Sequence, residues 1–145
     1  MITNESSKEP TYKQLHEQVI GDGTYDVNVV LGRLFMLMVL KTKLHGTTYL
    51  REAIVYRYER GLDSRVSLTK EIYPAVASNQ CTTVNRVERN IRNTINDCYE
   101  HGNLFAFNIL TRSEVIKTDY VPTNGELINI IASWLILERQ QNNIK

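Results

Sequence analysis

The sequence predicts an all-α fold, a compact bundle of about six helices that contains a helix-turn-helix. A length of 145 residues with ordinary apolar and charged fractions suits one globular domain with a hydrophobic core. Apolar residues recur at helical spacing in several successive segments. Capping residues and glycines mark where these segments begin and end.

The first 25 residues carry a Gly21-Asp22-Gly23 break and only a weak apolar pattern. We expect residues 1–25 to form a loose N-terminal arm with one short helix. The helical domain is predicted to cover residues 26–145. Its first helix should be capped by Asp26 or Asn28, run to Leu44, and form the centre of the core, because it is apolar on nearly all sides.

Two further helical segments follow. Thr47 or Thr48 is expected to cap a helix that ends at Gly61. The next segment starts near Ser67, and Pro74 interrupts it because proline lacks an amide proton and clashes with the preceding turn. The segment must therefore kink there, or restart with Pro74 in its first turn.

The last part of the chain contains another helix signal. After a less regular apolar stretch at residues 104–116, the sequence Thr123-Asn124-Gly125-Glu126 fits a capping box. The apolar residues that follow it fall on one helical face. A final helix is therefore predicted from this box onward.

The net charge of +1 says nothing about a nucleic-acid partner, but the distribution of charge along the chain is informative. Residues 33–92 contain eleven lysines and arginines against five acidic residues, a surplus of six positive charges. The rest of the chain carries a surplus of five negative charges. A basic half can face phosphates while an acidic half does not.

Several classes of function find no support. Cys81 and Cys98 form no C-x-x-C pair and the three histidines stand far apart, so we expect free thiols and no metal site. No phosphate-binding glycine loop, nucleophile and base pair, or carboxylate dyad is evident. The sequence therefore predicts neither an enzyme nor a bound cofactor.

No segment indicates export or membrane insertion. Residues 1–10 are polar and lack the apolar core of a signal peptide. The most apolar run, residues 27–40, is shorter than the ~20 residues that span a bilayer. We therefore expect a cytoplasmic protein without a membrane partner.

The most informative pattern lies in residues 83–98, the predicted second helix of a helix-turn-helix at about 67–98. On a helical wheel its apolar side chains share one narrow sector, and hydrogen-bonding side chains lie opposite. Arginine can donate two bonds to guanine, and asparagine can pair with adenine, so this helix can read a major groove. The apolar residues are Val84, Val87, Ile91, Ile95 and Cys98, and the opposite row is Arg86, Arg89 and Asn93, flanked by Asn85 and Arg92.

Residues near this helix offer contacts to phosphate. Thr82 and Thr83 stand at its start, where main-chain amides and hydroxyls can hold a backbone phosphate. Lys70 is a further candidate, although it fits an ordinary solvated charge equally well. An arginine-rich face is also usually a solvated surface, and Glu88 could simply pair with Arg92 four residues later.

Several short motifs follow one another in order between about residues 45 and 139. They are Tyr49-Leu50-Arg51-Glu52-Ala53-Ile54, Leu68-Thr69-Lys70 with Tyr73-Pro74, Thr82-Thr83, Arg86-Val87-Glu88-Arg89 with Ile91-Arg92, Gly102-Asn103, and Pro122-Thr123-Asn124. In these motifs the chain resembles the C-terminal effector domain of the sporulation master response regulator of endospore-forming bacteria, the stage zero sporulation protein A family.

The resemblance implies a six-helix domain that binds double-stranded DNA and controls transcription, often as two molecules on adjacent short boxes. Asn85 replaces an expected serine and Asn93 an expected histidine, so the preferred box is expected to have shifted. The family's base-reading and backbone-contacting positions are matched by Arg86, Glu88, Arg89 and Arg92.

The chain departs from the family in two places. Too few residues precede the first long helix for the family's receiver domain with its phosphoacceptor aspartate, so control by phosphorylation within the chain is not expected. Residues 104–120, which in the family include a surface that contacts the housekeeping sigma factor, match poorly. The resemblance therefore implies DNA as a partner more strongly than it implies a sigma factor.

A helical interaction module is the main alternative. Such a module would keep the fold but bind another protein, such as a full-length regulator, through its apolar stretch at residues 104–110. Sequence-specific binding to duplex DNA would separate the two functions.

Overall fold

The computed structural model describes the backbone of residues 11–144 and the side chains of residues 11–142. Over this range the fold is all-α, as predicted, with no strand beyond an isolated bridge between Lys117 and Tyr120. The elements are α1 (Tyr12–Ile20), α2 (Val27–Leu37), α3 (His45–Arg60), a π-helical turn (Leu68–Ile72), α4 (Tyr73–Asn79), α5 (Val84–His101), α6 (Ala106–Thr111) and α7 (Asn124–Ile144).

Helix α3 lies at the centre of the bundle. It packs mainly on α5 and α7, and its Leu50 and Ile54 are completely buried. Burying a side chain of this size contributes about 1.5–3 kcal/mol, so this three-helix contact is the main source of stability. The core contributed by the two neighbours includes Ile91 and Ile95 from α5 and Ile128, Ile131 and Leu135 from α7.

Two expectations for α2 are wrong: it is not the central helix, and it does not reach Leu44. The helix ends at Leu37 because Val39 adopts a left-handed backbone with a φ of 59°. The amide of Leu40 then donates to the carbonyl oxygen of Phe35 at 3.0 Å, which completes a Schellman motif. Glycine usually occupies such a left-handed position, so a valine there gave no warning of the helix end.

Other helix boundaries follow the predicted signals. The Asp26 carboxylate accepts hydrogen bonds from the first amides of α2, and Gly61 ends α3. Pro74 stands in the first turn of α4, and the chain passes from the π-helical turn into α4 without leaving the helical conformation. At α7 the Thr123 amide donates to Glu126 Oε1 at 2.9 Å and the Glu126 amide donates to Thr123 Oγ1 at 3.2 Å, which forms the expected capping box.

The start of α3 differs from the prediction. The helix begins at His45 without a side-chain cap, so neither Thr47 nor Thr48 is its N-cap. The Thr47 hydroxyl instead donates to the Lys41 carbonyl oxygen at 2.5 Å. Its hydrogen-bonding capacity is therefore used to hold the preceding loop against the helix.

The N-terminal arm is less loose than expected. Thr11 and Gln14 form a capping box at the start of α1, and the buried side chains of Leu15 and Val19 face the rest of the bundle. Helix α1 packs on α2 and α6. Residues 1–10, the remainder of the predicted arm, lie outside the described residues.

A close contact at Gly46 fixes how α3 and α5 pack. Gly46 is buried, and a Cβ atom added there would overlap the Asn90 carbonyl oxygen and the Thr94 hydroxyl of α5. Only glycine allows the backbones of the two helices to come this close. The position of α5 on the bundle therefore depends on a residue without a side chain.

We predict that Gly46→Ala lowers the free energy of unfolding by about 1–3 kcal/mol, because the added methyl group must push α3 away from α5. Denaturant unfolding monitored by circular dichroism measures the change. Gly23→Ala is the matched control, because a Cβ at Gly23 meets no atom within 4 Å and should change stability little. Equal stability of the two variants would contradict this description of the contact.

Candidate nucleic-acid interface

A tight turn joins α4 to α5. The Thr82 amide donates to the Ala77 carbonyl oxygen at 2.9 Å, and the Cys81 amide donates to the Ser78 carbonyl oxygen at 3.4 Å. Together these bonds form a Schellman motif, whose left-handed residue is Cys81 with a φ of 53°. This short turn between two helices is consistent with the predicted helix-turn-helix.

Thr83 caps α5, at the helix start that the sequence predicted. Its side-chain oxygen accepts from the Arg86 amide at 3.2 Å, and its carbonyl oxygen accepts from the Val87 amide at 3.0 Å. That main-chain bond is the first of the helix, so the amides of Val84 and Asn85 have no carbonyl partner within it. These two amides are available to an anion at the helix start.

The core-facing side of α5 is almost as predicted. Val87, Ile91, Ile95 and Cys98 are all buried, whereas Val84 is 36% exposed because it lies in the first turn, before the helix enters the core. The Cys98 thiol donates to the Met38 carbonyl oxygen at 3.2 Å, and burial raises its pKa to about 11. Cys98 is therefore a structural thiol that stays protonated at neutral pH.

The opposite side of α5 carries the predicted row. Asn85, Arg86, Arg89 and Asn93 are all exposed, and the last three lie along one face of the helix. Among the described residues, no side chain forms a hydrogen bond or ion pair with the side chains of Arg86, Arg89 or Asn93. Three hydrogen-bonding groups are thus free to contact a ligand.

Glu88 and Arg92 form an ion pair on the flank of this face. Both side chains remain partly accessible, with relative exposures of 38% and 51%. An exposed pair of this kind contributes little to stability, typically ~0.3–0.5 kcal/mol for residues four apart on a helix. The ion pair can therefore be broken at a small cost in free energy, which leaves either side chain able to bind a ligand.

The remaining candidates lie around the start of α5. Thr82 is half-buried and its amide is already used in the turn, whereas Thr83 is exposed beside the free amides. Lys70 is exposed on the π-helical turn, where its amide donates to Ser67 Oγ at 3.0 Å. Of these three residues, Thr83 is the one that lies beside main-chain amides without a carbonyl partner in the helix.

Sequence reasoning missed Glu52 as a residue that positions the turn. Its carboxylate, on α3, accepts from the side-chain amide of Asn79 at 2.9 Å and also from that of Gln80. Asn79 and Gln80 are the last residues before the turn to α5. Glu52 thus ties the central helix to the turn, and only its place in a family-like motif marked it in the sequence.

Asn124 was also missed in this role. Its side-chain amide donates to the Tyr73 hydroxyl at 2.9 Å and to the Glu88 carbonyl oxygen at 3.0 Å, and the residue is only 7% exposed. It therefore connects α7, α4 and the backbone of α5. Burial raises the pKa of the Tyr73 hydroxyl, which remains neutral as the partner in this contact.

A family model described as "Sporulation initiation factor Spo0A C terminal" matches residues 32–135, well over half of the chain, including all of α3 to α6. The chain belongs to this family. Spo0A C-terminal domains are DNA-binding effector domains and not an enzyme family. The resemblance seen in the short motifs is thereby confirmed.

Two further findings concern other kinds of site in this Spo0A C-terminal domain. In the part of the chain from residue 11 to 144, no helix combines the length and the apolar character that crossing a membrane requires. The same part contains no group of histidine, cysteine and acidic side chains arranged to hold a metal ion.

The apolar stretch at residues 104–110 does not form a docking surface of the kind an interaction module needs. Leu104, Phe107 and Leu110 are buried, and Phe107 packs edge-on against Trp134 with ring centroids 5.6 Å apart. Ile109 alone among its large aliphatic residues is exposed, at 40%. The stretch therefore belongs to the core of the Spo0A C-terminal domain.

We predict that Glu52→Ala lowers the free energy of unfolding by about 1–2 kcal/mol, because the amides of Asn79 and Gln80 lose a charged acceptor. Chemical denaturation measures the loss. Glu59→Ala, an exposed change on the same helix, should stay within about 0.5 kcal/mol of the parent. If Glu52→Ala matched Glu59→Ala, the link between α3 and the turn would contribute nothing.

We also predict that Cys81→Gly raises the free energy of unfolding by up to about 1 kcal/mol. Glycine removes the left-handed strain at this position, which outweighs its larger loss of backbone entropy. Cys81→Ala removes the thiol but keeps the strain, so its thermal midpoint should stay near that of the parent. A glycine variant no more stable than the alanine variant would refute the strain at the turn.

Proposed function

We propose that this Spo0A C-terminal domain is a transcription regulator that binds duplex DNA sequence-specifically, with α5 in the major groove. The observation that carries the proposal is the row of Arg86, Arg89 and Asn93 on a helix whose other side is fixed in the core. No described side chain pairs with this row. A rigid helix with free hydrogen-bonding groups along one face suits base readout.

Each member of the row has a role that its chemistry allows. Arg86 and Arg89 each donate two hydrogen bonds to O6 and N7 of a guanine. Asn93, one turn further along, pairs with an adenine through N6 and N7, and Asn85 adds a contact near the helix start. The two asparagines then give this protein a box that differs from the one its family prefers.

The Glu88 and Arg92 pair serves both base and backbone contacts. Glu88 accepts a hydrogen bond from the N4 amino group of a cytosine, and Arg92 moves to a phosphate. Because the pair is exposed and weak, DNA can separate it without a large free-energy cost. The free amides at the start of α5, with the Thr83 hydroxyl beside them, hold another phosphate.

The same proposal extends to assembly and location. Two molecules bind adjacent boxes in tandem, as the family resemblance implies, and they do so in the cytoplasm, where bacterial DNA lies. Sedimentation of the complex with one-box and two-box duplexes would measure the stoichiometry.

An unbiased selection from randomised duplex DNA tests the proposal. It is run at one stated, near-physiological salt concentration, because binding to phosphates weakens steeply as salt rises. Enrichment of a single short box is the expected result. Retention of DNA without any enriched sequence would overturn sequence-specific readout.

We predict that Arg86→Ala and Arg89→Ala each weaken binding to the selected box by about 1–3 kcal/mol and relax specificity at one base pair. Fluorescence anisotropy with single-base variants of the box measures both effects. Arg33→Ala is the charge-matched control. It also removes one positive charge, but Arg33 belongs to α2 and its side chain donates to the Val19 carbonyl oxygen of α1, so it is not part of the row on α5. Unchanged affinity in both α5 variants would show that the row faces solvent in the complex.

A further inference from the structure

A short basic loop lies beside α5, at residues 41–43 between α2 and α3. Lys41 and Lys43 are both exposed, and His45, also exposed, follows at the start of α3. No role in DNA binding was assigned to these residues from the sequence. Their position beside the row on α5 indicates a role in DNA binding.

The loop is held in one conformation by its backbone. The Lys41 carbonyl oxygen accepts from the buried Thr47 hydroxyl at 2.5 Å and from the Leu44 amide at 3.2 Å. Gly46, two residues after Leu44, lies against the Asn90 carbonyl oxygen of α5. The backbone that carries the two lysines is thus hydrogen-bonded to the start of α3, which contacts α5 at Gly46.

Contacts with α5 show on which side of the helix the loop lies. Lys41 Nζ is 3.1 Å from Asp97 Oδ1, and the lysine side chain is 45% exposed. At the helical period, Asp97 and Asn90 share the flank of α5 next to Arg86 and Asn93. The loop therefore borders the base-reading row on the side opposite to Arg92.

We propose that Lys41 and Lys43 form a second DNA contact, which binds phosphates of the strand that borders the groove occupied by α5. This inference rests on the proposed function and adds to it a sequence-independent contact. With Arg92 on the other flank, the row would have cations on both sides. A helix in the major groove meets a phosphate backbone on each side, which this arrangement matches.

The Asp97 carboxylate competes with DNA phosphate for Lys41. In the free protein its carboxylate holds Lys41, and on DNA the lysine must exchange that carboxylate for a phosphate. The remaining carboxylate then faces the negatively charged backbone and weakens the complex. Removing its charge should therefore strengthen DNA binding, which is an unusual result for a surface substitution.

The test measures affinity of the full chain for the selected box and for random duplex DNA at several salt concentrations. Lys41→Ala and Lys43→Ala should each weaken binding to both DNAs by the same factor. Each should also reduce the slope of log K against log salt by ~1, as expected for one lost phosphate contact. Lys13→Ala on α1 is the matched control and should leave affinity and slope unchanged, because α1 packs on α2 and α6.

Asp97→Asn is a second variant, which should change DNA affinity in the opposite direction. It should tighten binding to both DNAs, with a smaller gain when Lys41 is also alanine. Unchanged slopes in both lysine variants, with intact specific binding by the parent, would overturn this contact alone. Failure of the parent to select any sequence would overturn the proposed function, and the contact with it.

Discussion

The position of α5 depends on the absence of a side chain at Gly46. At that point the backbone of α3 contacts α5 beside Asn90 and Thr94, and no Cβ fits between them. The large apolar side chains of α3, α5 and α7 supply most of the stability, but they would tolerate other packing angles. The glycine contact selects one of them, and the same contact brings the loop at residues 41–43 to the edge of the helix face.

Polar contacts then fix the end of α4 and the backbone of α5, which apolar packing alone does not position. Glu52 holds the end of α4, and Asn124 holds the backbone of α5 at Glu88. The turn between α4 and α5 is held by a left-handed Cys81. As a result the row of Arg86, Arg89 and Asn93 has a rigid support, while no side chain in residues 11–142 pairs with it. This suits a surface that acquires its partner on binding.

Most of this arrangement could be predicted from the sequence where the signal was local. The two faces of α5, its start near Thr83 and the place of Pro74 in the first turn of α4 follow from periodicity and from the chemistry of single residues. The early end of α2 could not be predicted, since Val39 adopts a conformation that residue type disfavours. The roles of Glu52, Asn124 and Lys41 depend on residues far away in the sequence, so no local pattern reveals them.

In the proposed complex, α5, supported by α3 at Gly46, is the surface that meets DNA. Its contact with DNA can be followed through the amide chemical shifts of the isotope-labelled protein during titration with a selected duplex. We expect the largest changes at residues 82–93, with a second group at residues 41–45 and little change in α1. Changes confined to α1, α6 and α7, with α5 unaffected, would contradict it.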